Sequence, residues 1–173
     1  MQKLAAVWGV TGIVLLLGTA IFRLSQLAIQ AFNGEHDLLW YHWLLMIVFS
    51  IFMLYSEGYK GFQKAFAPRV AARAKFLSSN ANLLQTILAP LFCMAYFHTT
   101  KKRQIISITL TTMIIGFIML VRLAPPLYRS IIDVGVVLGL SYGVITVLTF
   151  VIKAFTSTDF DVSPELPEKQ SLT

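Results

Sequence analysis

The sequence predicts an all-α fold, a polytopic transmembrane helical bundle. Three observations carry this. The 173 residues are 57% hydrophobic and only 13% charged, with a mean hydropathy of +0.73. Soluble domains carry about 25% charged residues, so a water-soluble globule of this composition would expose too much apolar surface. The apolar residues also fall in uncharged runs of about 19 residues, the length a helix needs to cross a bilayer's hydrocarbon core. Finally, Gly135, Gly139 and Gly143 are spaced four apart inside one such run. At that spacing they share one helix face and let a neighbouring backbone approach closely.

Residues 1–155 read as one helical membrane domain and 156–173 as a polar tail. The first span is predicted at about 4–22. Its Gly18-Thr19-Ala20 resembles a signal-cleavage site. The run is long for a signal core and other spans follow, so a first transmembrane helix is the better reading. Ala5, Gly9 and Gly12 form a small-residue face, expected to partner the glycine face near the end of the chain. Arg23 to Asp37 is a connector that continues the helix or lies at the interface. Asn33-Gly34 ends it, and Glu35, His36 and Asp37 follow as a mildly acidic turn.

The second span is predicted at about 38–56. Trp40, Tyr41 and Trp43 anchor one interface, and Tyr55 and Tyr59 mark the other. Residues 57–77 then carry Lys60, Lys64, Arg69, Arg73 and Lys75 against one acid, with Phe62, Phe66 and Val70 four apart. This reads as a basic amphipathic segment on the cytoplasmic surface, its cations meeting anionic headgroups. Pro68 is expected to break or restart that helix.

Residues 79–98 are ambiguous. They hold no charge, yet begin with Ser79, Asn80 and Asn82 and contain Pro90. They fit a fifth span, a re-entrant segment or an interfacial one. Lys101, Lys102 and Arg103 follow directly. A clear span runs over about 104–122, and Arg122, Pro125, Pro126 and Arg129 turn the chain into the last, about 131–153. The tail is expected to be disordered.

Cationic loops favour the cytoplasm. With five spans, eight of the 14 cations fall inside and six outside. With four spans and a non-crossing 79–98, the split is eleven to three. The four-span topology is preferred, and it puts both termini in the cytoplasm.

Arg122, Arg129 and Asp133 form the candidate polar site, since ionisable groups at membrane depth are costly. Arg129 and Asp133 stand four apart on one helix face. They fit an ion or proton site, or a basic pocket for an anionic group. The preferred reading is a salt bridge closing a helical hairpin, because all three lie near span ends. Glu57, beside Tyr55 and Tyr59, could handle a proton, but the preferred reading pairs it with a nearby lysine in the headgroup zone. The histidines His36, His42 and His98 have no ligand-like spacing, so no metal or haem site is expected. The lone cysteine, Cys93, reads as a small packing residue. No phosphate loop, dinucleotide fingerprint, zinc-protease helix or nucleophile elbow occurs, so no catalytic or cofactor-binding residue is assigned. Nucleic acid is a poor partner for cations confined to membrane loops.

The runs EGYKGFQKAFAPRVAARA and LAPLFCMAYFHTTKKR, with DVGVVLGLSYG, resemble small bacterial inner-membrane proteins that carry no assigned activity. The resemblance implies the bacterial cytoplasmic membrane and brings no substrate or site residue. Two functions lead, with a membrane enzyme third. One is a non-enzymatic accessory or assembly subunit acting through helix packing, with itself or a membrane partner. The other is a small oligomeric transporter or channel for an ion or small anionic solute.

Overall fold

The computed structural model describes residues 2–30, 38–157 and 160–167. The acidic turn with His36 lies outside these residues. Helix α1 spans Gln2–Gln30. A continuous 41-residue helix then runs from Trp40 to Asn80. It comprises α2 (Trp40–Met53), a π-helical segment (Leu54–Phe66) and α3 (Ala67–Asn80). Two short helices follow, α4 (Leu83–Ile87) and α5 (Ala89–Cys93). Helices α6 (Lys101–Arg122) and α7 (Pro126–Thr156) complete the chain. No strand occurs among the described residues. Four helices are long and apolar enough to cross a membrane: α1, the Trp40–Asn80 helix, α6 and α7. The protein is an all-α membrane-type bundle.

The core lies among α1, the long helix and α7. Ala5, Ala6, Ile13 and Leu17 of α1 meet Ala67, Val70, Ala74 and Leu77 of α3 and Leu140 and Val147 of α7. Burying this surface against helices rather than lipid gains through close packing, since lipid tails are as apolar as the side chains.

Residues 57–77 depart from the expected separate surface helix. They continue the second span without a break. Pro68 does not interrupt the helix, because it falls in the first turn of α3, where its missing N–H costs nothing. The wide turns ahead of it deliver the chain there, with the Ala67 N–H bonded back to the Phe62 carbonyl. Apart from Arg73, the inward face is apolar or small: Gly58, Ala67, Val70, Ala71, Ala74 and Leu77 are all buried. A strip expected to lie on a lipid surface therefore stands against α1 and α7.

Residues 79–98 form no single crossing helix. Asn82 caps α4, its N–H bonded to Gln85 Oε1 at 3.1 Å. The chain leaves helical geometry at Leu88 (φ −98°, ψ 28°) and restarts with Pro90 in the first turn of α5. Ala95 (φ 61°) and His98 (φ 48°) adopt left-handed conformations and turn it towards α6. The two short helices lean on α1: Trp8 Nε1 donates to the Ile87 carbonyl at 3.4 Å.

Helix α6 stands apart. Only 6% of its most apolar window is buried, against 28% in α1 and in α7. Its anchor lies at its first turns, where Gln104 Nε2 donates to the Tyr96 carbonyl and Ser107 Oγ to the Met94 carbonyl. The Tyr96 hydroxyl also bonds Thr111.

Candidate functional site

The glycine face of α7 is a receiving groove, but its partner is not α1. A Cβ on Gly135 would lie 2.6 Å from Phe49, and one on Gly143 would lie 2.6 Å from Phe62. At Gly139 the neighbours are Glu57 Oε2 at 3.2 Å and the Met53 carbonyl at 3.4 Å. All of these belong to the long second helix. The face on α1 meets something else: a Cβ on Gly9 would lie 2.9 Å from Cys93 Sγ, and one on Gly12 would lie 2.4 Å from Pro90 Cγ. The expected pairing of the two glycine faces is thus replaced by two separate joints. Small-residue spacing marks a face without saying which neighbour fills it.

Glu57 points into the first joint. Among the described residues it forms no ion pair, so the expected lysine partner is not there. Lys60 and Lys64 instead lie over the rings of Tyr55 and Tyr59. Beside Glu57, Tyr142 stands against Gly58 and its hydroxyl donates to Gln63 Oε1.

At the opposite end of this seam, Asp133 is buried, 4% exposed. Arg129 Nε is 3.9 Å from Asp133 Oδ2, a loose pair four residues apart on one face. That oxygen has no hydrogen bond among the described residues. Arg122 is exposed and forms no ion pair among them, so the proposed trio is reduced to a pair. His42 is buried nearby in the fold. Its Nδ1 accepts from the Leu39 N–H at 3.2 Å, and its ring meets Tyr128 edge-on at 5.9 Å. It caps its own helix. No group of three metal-ligating side chains forms among the described residues.

Arg73 is the residue that sequence reasoning misplaced. Expected at headgroups, it is 1% exposed. Its Nε donates to the Phe92 carbonyl at 2.6 Å, Nη1 to Pro164 at 2.8 Å, and Nη2 to Phe97 at 2.9 Å and His98 at 3.0 Å. Its guanidinium lies 4.0 Å from the centroid of the Phe92 ring. A buried guanidinium is costly unless its donors are used, and carbonyl groups of irregular backbone need donors equally. Here each satisfies the other. A signal existed: Phe66, Val70, Arg73 and Leu77 follow one apolar helical stripe, so the arginine sits where the core requires a side chain.

The second surprise is the tail. Residues 160–167 are not the disordered segment expected; they lie across the loop before α6. Arg103 Nε and Nη2 donate to the Glu165 carboxylate at 2.5 and 2.8 Å. The Glu165 carbonyl accepts from Thr99 Oγ1 at 3.0 Å and from the Thr100 N–H at 3.3 Å. The hydrogen bonds from Arg103 hold the Glu165 carboxyl below the usual carboxylate range. The physical reason for order is charge: an acidic, proline-stiffened tail meets a cationic loop.

Of the remaining cations expected at headgroups, Lys60 and Lys64 are exposed. Arg69 is half-buried and donates to the Ala65 carbonyl, and Lys75 lies over the Phe160 ring at 5.7 Å. Comparison with family models, with curated proteins and with solved structures finds no match for the chain.

Proposed function

We propose that this is a non-enzymatic accessory or assembly subunit of the bacterial cytoplasmic membrane, its termini on the cytoplasmic side, acting by packing one helix against a helix of another copy or of a partner. The observation that carries this reading is α6, a span-length apolar helix held at its first turns and otherwise free of its own bundle. The glycine face of α7 is already filled within the chain, so it is not the docking surface. Residues from Met113 to Leu120 on α6 are exposed on every side. The test replaces Cys93 by Ser and introduces single cysteines at Met113 or Met119. Disulfide or photo-crosslinked adducts in membranes support the reading. Adducts no more abundant than from Leu15 on the outer face of α1 refute it.

A small oligomeric transporter or channel is the second reading, favoured by the buried, half-satisfied Asp133. Unpaired polar atoms at membrane depth are retained where they bind something. Proteoliposome flux that Asp133→Asn abolishes, with the fold retained, would support it. Unchanged flux in that variant would remove the site.

A further inference from the structure

The π-helical segment arranges its side chains unlike the α-helix on either side. Bonds from i to i−5 widen the turn to about 4.4 residues, so residues five apart stand only about 50° from one another around the axis. Lys60 Nζ lies 4.8 Å from the centroid of the Tyr55 ring, and Lys64 Nζ lies 4.7 Å from that of Tyr59. The two rings stack at 6.0 Å and 22°. In an α-helix each lysine would stand about 140° around the axis from its ring. The wide turns thus build a two-rung ladder of ammonium on phenol. Tyr55, Lys60 and Lys64 are exposed.

The depth of this ladder is unusual. Phe62, between the two lysines, fills Gly143 of α7. Gly143 is the midpoint of the uncharged run Val134 to Ile152. About nine residues, roughly 14 Å of helix, separate it from either end of that run. The two ammonium groups lie over the Tyr55 and Tyr59 rings, and the turns around those rings, at Met53, Glu57 and Phe62, face Gly139 and Gly143, so both groups stand alongside α7's apolar stretch. No acid among the described residues pairs with either lysine. Hydrocarbon tails alone cannot meet two cations at that level without a large cost. Exposed apolar side chains adjoin the ladder on the same helix, Ile51 and Phe52 among them.

We propose that the Tyr55/Lys60/Tyr59/Lys64 ladder is a binding site for the anionic headgroup of a membrane phospholipid, drawn below the ordinary headgroup plane. The two ammonium groups take the phosphate, the rings hold the lysine stems in place, and the flanking apolar surface takes the acyl chains. That surface makes the ligand a lipid rather than a soluble anion. The site is independent of α6 and of any subunit pairing.

Native mass spectrometry of the detergent-purified full chain tests it, with dioleoyl phosphatidylglycerol and dioleoyl phosphatidylcholine as probes. Wild-type protein should retain the anionic lipid about tenfold better. K60Q/K64Q should lose that preference. K101Q/K102Q removes the same charge from exposed positions at the start of α6 and should keep it. Helical content and elution volume report the fold, and Lys64→Gln alone gives a partial loss should the double variant misfold. Equal retention of both lipids by wild type overturns the proposal, as does equal loss in the two double variants. Displacement of the lipid by millimolar inorganic phosphate would overturn the lipid assignment in favour of a soluble anion.

Discussion

Helices α6 and α7 are consecutive, similarly apolar, and opposite in fate. Their most apolar windows have mean hydropathies of 2.1 and 2.2. Yet α7 is embraced by α1 and the long helix, while α6 touches little beyond the loop at its start. The difference lies in small residues. On α7 three glycines at four-residue spacing each admit a neighbour's side chain or backbone. On α6 the one glycine, Gly116, has nothing within 4 Å of where a Cβ would stand. Hydropathy says that a helix can enter a membrane. Small-residue spacing says that it will pack once there.

The largest expected effect is on what tethers α6. Arg73→Ala removes four hydrogen bonds and strands four carbonyl groups, a cost on the order of 3–5 kcal/mol. Unfolding in mixed detergent should show it, and accelerated proteolysis between residues 94 and 100 should accompany it. If α6 remained as protease-resistant as α7, the arginine would not be its anchor.

On α7, Gly143→Ala forces the Phe62 ring to move and should cost about 1–3 kcal/mol. Gly139→Ala, where the nearest group is the movable end of Glu57, should cost less. Equal costs at the two sites would show that the groove closes by some other contact.

Gly116→Ala on α6 has the opposite sign: open space plus better helix propensity should stabilise by up to about 1 kcal/mol. A loss of stability there that grows with protein concentration would mean that another copy already covers α6.

The smallest effect is on the strap. The Glu165 carboxyl is held below its ordinary value of 4.5 by Arg103. A depressed carboxyl stabilises the fold above its unfolded value, and that contribution fades as pH falls through the folded one. Protection of residues 160–167 from proteolysis should therefore be full near neutrality and decline below about pH 4.5. Glu165→Gln should make it weaker and flat with pH. A wild-type profile as flat as the variant's would show that the carboxylate is not what secures the strap.

The helical class and the spans were legible because uncharged length is a one-dimensional property. So was the presence of a packing face at Gly135, Gly139 and Gly143. What fills that face was not, because spacing along one helix carries no information about its neighbour. The π segment was hidden for a similar reason: Tyr55–Lys60 and Tyr59–Lys64 pair at a spacing that ordinary helical periodicity does not search. Arg73 was counted with its fellow cations by composition, although its place on the Phe66–Val70–Leu77 stripe marked it as interior. The tail was judged by polarity alone, and Glu165 finds its order only through Arg103, 62 residues earlier.

That long-range clasp bears on biogenesis. The clasp from Glu165 to Arg103 is synthesised after α7, so α6 must emerge, insert and turn with only its ties to earlier residues in place. During that interval it is the least committed part of the bundle and the part most open to capture by another polypeptide. A fusion attached close behind residue 167 would burden the clasp, and with it α6, before it touched the three helices of the core.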